Sequence, residues 1–150
     1  REEPGISKAS DETRTPVAEP VTVLLVTRRV STQQLENLLR PEGIIAEYDS
    51  LDCLVRASDR VAEVCQGGKL AVVLTRYVST ELCLANRHRN VRAIAGRVGI
   101  DVAAETAAVG ANALVADAAA GVFALKRMIT AFVHAPHVCP ENLRERLELS

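Results

Sequence analysis

A chain of 150 residues, 48% of them hydrophobic, has the mass for one domain with a sizeable core. Aromatic residues make up only 3%, with no Trp, so that core must be Val, Leu, Ile and Ala. The formal net charge of -1 argues against bulk attraction to nucleic acid or acidic membranes. No apolar run approaches the roughly 20 residues of a membrane span, and no signal-like segment opens the chain, which reads as cytoplasmic.

Residues Arg1 to Pro20 are charged and turn-rich, with Pro4, Gly5, Pro16 and Pro20, and read as a tail or linker. An opening of this kind without a Met suggests a piece of a longer protein. The domain proper is expected over residues 21–150. Val21–Val26 is a first buried strand, followed by the loop Thr27-Arg28-Arg29-Val30. Ser31 or Thr32 caps a helix to about Arg40, with Leu35, Leu38 and Leu39 on one face; Pro41 and Gly43 end it. Ile44–Tyr48 is a short second strand, and a helix runs from about Leu54 to Cys65 before Gly67-Gly68 stops it. Leu70–Leu74 is a third strand, Glu81–Arg87 a helix that Ser79-Thr80-Glu81 starts, and Val91–Ala95 a fourth strand. Asp101 caps a helix through Val109, which Gly110 ends. Asn112–Ala116 is a fifth strand, Gly121–His134 a long apolar helix, and Glu141–Leu149 a last charged one beyond Pro136.

Five strands alternating with helices predict a three-layer α/β/α sandwich around a five-stranded parallel, Rossmann-like sheet. Right-handed crossovers gather the loops after the strands along one edge, starting at Thr27, Thr75 and Ala116. Arg28, Arg29 and Arg76 would make that edge an anion-attracting mouth or a solvated basic rim. Cys53, Cys65, Cys83 and Cys139 lack close-pair spacing, so no metal or other cofactor is expected, and Cys65 and Cys83 read as buried thiols. The basic run Arg87-His88-Arg89 lies toward the opposite edge and reads as surface, with His88 solvated. His134 and His137 flank a Pro and suggest neither a triad nor a metal site.

Several segments, taken in order, carry a resemblance. Leu84-Ala85-Asn86-Arg87 falls on a helix pattern Ala-Ala-Asn-Lys, and Val91-Arg92-Ala93 on a strand with Arg-Ala. Ala111-Asn112-Ala113-Leu114 and the helix to Phe132 fit a fifth strand and its helix. Over roughly Val21 to Leu149 the chain resembles the ribose-5-phosphate isomerase B / galactose-6-phosphate isomerase family. The resemblance implies aldose–ketose isomerisation of a sugar phosphate through an enediolate, in dimers or tetramers whose sites draw on both subunits.

Such a site needs a base, donors for the oxyanion, a ring-opening group and a cationic phosphate clamp. The resemblance puts Thr75 at the position of a family Cys base, and a Thr hydroxyl is a far weaker acid. Other members carry a Glu at the helix start, where this chain has Glu81; the plainer alternative is a first-turn charge contributing about 0.3–1 kcal/mol to the helix. Arg76, Val78 and Thr80 stand where the family has loop glycines, so the oxyanion loop must differ or be filled by side chains. The family's Asp-His and His-Asn pairs fall on Arg28-Arg29 and Ala108-Val109. Two phosphate-binding Arg positions hold Ala119 and Asn142, while Arg146 keeps a third. Asn86 is expected either to orient a loop or ligand or to cap its helix.

Three readings follow. One is a catalytically degenerate family member, a pseudoenzyme that binds a phosphorylated sugar or other small anion as a regulatory or partner subunit. It would form a homodimer, or a hetero-oligomer with a paralogue. Another is an active isomerase using Glu81 as base, with Arg146, Arg28 and Arg29 on phosphate. The third is a nucleotide- or anion-binding module of a larger protein.

Overall fold

The computed structural model describes residues 19–149. Most of the expected tail at residues 1–20 therefore lies outside the described residues. Five strands alternate with helices: β1 Val21–Leu25, α1 Thr32–Leu39, β2 Ala46–Ser50, α2 Leu54–Gln66, β3 Ala71–Thr75 and α3 Val78–Asn86. There follow β4 Ala93–Gly96, α4 Val102–Val109, β5 Ala113–Asp117, α5 Val122–His134 and α6 Glu141–Leu149. Every strand pair is parallel, in the spatial order β2-β1-β3-β5-β4.

Strand residues point alternately to the two faces, and each face has its own core. On one side Val23, Leu25, Val72, Leu74 and Leu114 meet Leu35 and Leu39 of α1, Val102 of α4 and Leu125, Ile129 and Phe132 of α5. On the other, Leu24, Ala71, Val73 and Val115 meet Ala57 and Val61 of α2 and Val78 and Ala85 of α3. The sandwich is thus α1, α4 and α5 over the sheet with α2 and α3 beneath. Because β1 and β3 sit side by side while their following helices leave to opposite faces, their ends form a switch point, where α/β sheets open a crevice.

Caps fall where local chemistry dictates. Ser31 closes a capping box with Gln34 at the start of α1, and Asp101 accepts from the Ala104 amide at the start of α4. Strand ends differ from the sequence reading by one or two residues. The second strand is Ala46–Ser50 rather than Ile44–Tyr48: Ile44 is buried in the core, and β2 is an edge strand that tolerates Glu47, Asp49 and Ser50. The fourth starts at Ala93 rather than Val91 because side chains replace ladder bonds there. Asn112 Oδ1 accepts from the Arg92 amide at 2.8 Å, and its Nδ2 donates to Asn90 O at 2.8 Å.

The connection from α5 to α6 is strapped to the end of α4. His137 Nδ1 lies 2.8 Å from Ala111 O, and its ring meets Phe132 edge-on at 5.2 Å. Gly110, in the left-handed conformation at φ 61°, lies directly beneath Val138 and Cys139. His137 is therefore a structural strap. Two expectations for the cysteines part ways: Cys65 is buried, but Cys83 is exposed on the outer face of α3.

Candidate functional site

The carboxyl ends of the strands bring together most of the residues singled out from sequence. After β1, Thr27 Oγ1 accepts from the Arg29 amide at 3.1 Å, and this turn leaves Arg28 and Arg29 exposed. After β3, Thr75 Oγ1 accepts from the Tyr77 amide at 3.1 Å, and Arg76 is exposed, its guanidinium 5.7 Å from the Tyr77 ring. Leu25 pairs with Leu74, so the two basic turns start from neighbouring strand ends.

Where the family has loop glycines this chain starts a helix, so the loop has another shape, as the loss of those glycines implied. α3 begins at Val78, three residues before the expected start, and Val78 drives its side chain into the core at 1% exposure. Tyr77 precedes it without a side-chain cap, so the first amides of α3 present the positive end of the helix to the crevice.

Neither candidate base is exposed at that crevice. Thr75 is fully buried, and its oxygen is engaged by the turn. Glu81, the fourth residue of α3, is also fully buried, so it is no solvated first-turn charge. Neither of its carboxylate oxygens finds a hydrogen-bond partner among the described residues. Burial, with the negative charge of Asp59 as a second cause, pushes its carboxyl up to about 7. Asp59 itself is flanked by Arg87 Nη2 at 3.2 Å and His88 Nε2 at 3.3 Å. His88 is thus a half-buried neighbour of an acid rather than a solvated side chain.

Two further side chains reach the edge that sequence reasoning passed over. Arg97 follows β4, and its Nη2 lies 3.4 Å from Ser79 Oγ in the first turn of α3. Asp117 ends β5 opposite Thr75 in register, and its Oδ1 accepts from the Ala119 amide at 2.9 Å. Both follow the rule that pointed to Arg28 and Arg76, a polar residue at a strand's carboxyl end.

Asn86 and Arg146 stand apart. Asn86 donates from Nδ2 to Ala93 O at 3.0 Å and accepts at Oδ1 from the Ala93 amide at 2.8 Å, clamping the last turn of α3 to the start of β4. Asn86→Ala is expected to lower stability by about 1–2 kcal/mol in urea denaturation while leaving affinity for any anion at the crevice unchanged. Arg146 is on α6, a helix that borders the amino ends of the strands through Leu143, Arg144 and Leu147. Within one chain it is not brought to Arg28, Arg29 and Arg76. Among the described residues, no three His, Cys, Asp or Glu side chains converge as metal ligands would.

No family model matches the chain, and no curated protein matches its sequence. Solved structures do. A ribose-5-phosphate isomerase B from Thermotoga maritima superposes with a TM-score of 0.70 at 16% identity, over 87% of this chain and 98% of its own. The type B enzyme of Trypanosoma cruzi gives 0.70 at 18% identity, over 89% and 94%. That of Mycoplasma genitalium, solved with ribulose-5-phosphate bound, gives 0.64 at 12% identity, over 88% and 95%. With its parallel five-stranded sheet and this extent of overlap, the chain has the fold of the type B ribose-5-phosphate isomerases.

Proposed function

We propose that this chain is a catalytically degenerate relative of the sugar-phosphate isomerases that binds a small phosphorylated ligand without turning it over. The observation that carries the reading is the sealing of both candidate bases: Thr75 and Glu81 are each 0% exposed, and Val78, where the family has a loop glycine, is buried in the core. A base must come within hydrogen-bond reach of the carbon acid before its pKa matters. What the crevice does expose is binding chemistry: Arg28, Arg29 and Arg76 around an uncapped helix N-terminus, with Arg97 at its rim. The neighbour from Mycoplasma genitalium holds a sugar phosphate, which supports a ligand of that class.

As a partner subunit, the chain would pair with a copy of itself or a paralogue, and Arg146 would serve a neighbour's site rather than its own. Free cysteines at Cys53, Cys65, Cys83 and Cys139 fit a reducing, cytoplasmic setting. No helix among the described residues is long and apolar enough to cross a membrane.

In coupled assays with pentose and hexose phosphates, the wild type is expected to show no isomerisation above background. In thermal shift, ribulose 5-phosphate is expected to raise Tm, and Arg28→Ala with Arg29→Ala to abolish the rise. Turnover that disappears in Glu81→Gln would instead make Glu81 a working base, and turnover lost in Asp117→Asn would transfer that role to Asp117. Stabilisation by nucleotides alone would favour a nucleotide-binding module.

A further inference from the structure

The opposite edge of the sheet, at the amino ends of β3, β5 and β4, carries a groove of about 1410 Å³. It is larger than the roughly 300–1,000 Å³ of most small-molecule sites, and it is open along its length. The connection from α2 to β3, the end of α3 with the turn after it, and α6 form its walls. Its cations are Lys69, Arg87, Arg89, Arg92 and Arg144, and no Asp or Glu lines it among the described residues. For a chain of net charge -1, such one-signed lining is a marked separation of charge. The basic run after α3, at the surface of the opposite edge as expected, forms one wall of this concave surface.

Arg92 fixes the centre. Its Nε and Nη2 donate to Gly110 O at 3.1 and 2.9 Å, and Nε also to Val109 O at 3.1 Å. It makes no ion pair among the described residues, so carbonyl dipoles orient its charge without neutralising it. Arg87, Lys69 and Arg144 have carboxylate neighbours in Asp59, Glu19 and Glu141, and Arg89 and Arg144 are each engaged by a further neighbour; the three named pairs are exposed and exchange partners at little cost. Between the cations the surface is aliphatic, with Leu70, Val91, Ile94, Leu143 and Leu147.

We propose that this groove is a docking site for an acidic peptide segment carrying aliphatic side chains, supplied by a partner protein. Carboxylates meet the Lys and Arg wall, and Leu- or Val-type side chains lie on the aliphatic surface. A single-stranded nucleic acid matches less well, because among the described residues no Phe, Tyr or Trp lines the groove to stack a base. A single small anion would leave most of the length and all of the aliphatic surface uncovered. The site is independent of the crevice at the carboxyl edge, so either can fail without the other.

Fluorescence anisotropy with a labelled decapeptide of alternating Glu and Leu tests it on the full chain. Saturable binding is expected, weakening as salt rises. Lys69→Glu with Arg89→Glu is expected to weaken it at least about tenfold, whereas the charge-matched Arg56→Glu with Arg127→Glu, both outside the groove, should leave it within about twofold. Circular dichroism melts confirm that both variants fold; should the first not fold, salt dependence and competition by unlabelled peptide carry the test. The proposal is overturned by peptide binding that the groove variant leaves intact, or by no binding at all. It is overturned equally by tighter binding of an oligothymidylate of the same length, or by full displacement of the peptide with inorganic pyrophosphate at matched charge.

Discussion

Gly110→Ala is expected to destabilise the protein by more than about 4 kcal/mol, enough to leave it largely unfolded in mild urea. A Cβ on Gly110 would stand 2.2 Å from the Cys139 amide nitrogen and 2.4 Å from the Val138 carbonyl carbon. Both obstacles are backbone, so no side-chain rotation relieves them. The residue also sits at φ 61°, where any side chain adds about 1 kcal/mol of its own. Relief would require the strap from α5 to α6 to lift, giving up the His137 contacts with Ala111 and Phe132. Gly43→Ala is the control: φ is 77° there, but nothing lies within 4 Å of the added carbon, and a loss of only about 1 kcal/mol is expected. Equal losses for the two variants in urea denaturation would mean that the strap does not rest on α4.

The second large effect depends on pH. Glu81 ionises near 4.5 when exposed and near 7 in its buried site. Below the lower value both the folded and unfolded chains hold the proton. Between the two values the unfolded chain gives it up while the folded one keeps it, so stability falls as pH rises. Above about 7 the folded state ionises too and the loss levels off. The gap between about 7 and 4.5 corresponds to about 3 kcal/mol by proton linkage. Glu81→Leu, which keeps the volume and removes the charge, should be about 3 kcal/mol more stable than wild type at pH 8 and nearly equal to it at pH 4.5. Denaturation series at both pH values decide the point. A less stable Glu81→Leu at pH 8 would mean that the carboxylate gains something from its surroundings that burial and Asp59 do not account for.

β1 and β3 were the most legible strands because their burial is uniform. VTVLL and AVVLT are buried at every position, and such runs have few other uses in a chain of this length. Helix limits at Ser31, Asp101 and Gly110 were legible because their residue types act locally. Errors entered where tertiary partners decide: Asn112 and Asn86 take over backbone pairing around Arg92 and Ala93, which moves the start of β4 by two residues. The strand order was not legible at all, since alternation implies parallel neighbours without saying which. Much the same division holds at the crevice. Thr27 and Thr75 fall near strand ends, so Arg28, Arg29 and Arg76 share an edge as expected. That Glu81 is buried depends on tertiary packing of α3 near Asp59 of α2, and no local pattern marks a Glu as buried. The basic run after α3 does lie at the surface of the opposite edge, as its position after the helix implied, but its concave setting was not legible, because concavity arises from segments distant in sequence.

Among the described residues β4 is bonded to β5 and to no other strand, although β5 is made later in the chain. During synthesis the segment Ala93–Gly96 therefore leaves the ribosome with its template still unmade, and must wait roughly twenty residues for Ala113–Asp117 to insert beside β3. Any product that ends early, between α4 and β5, would present an unmatched strand and the bare flank of β3, two surfaces suited to sticking to another nascent chain.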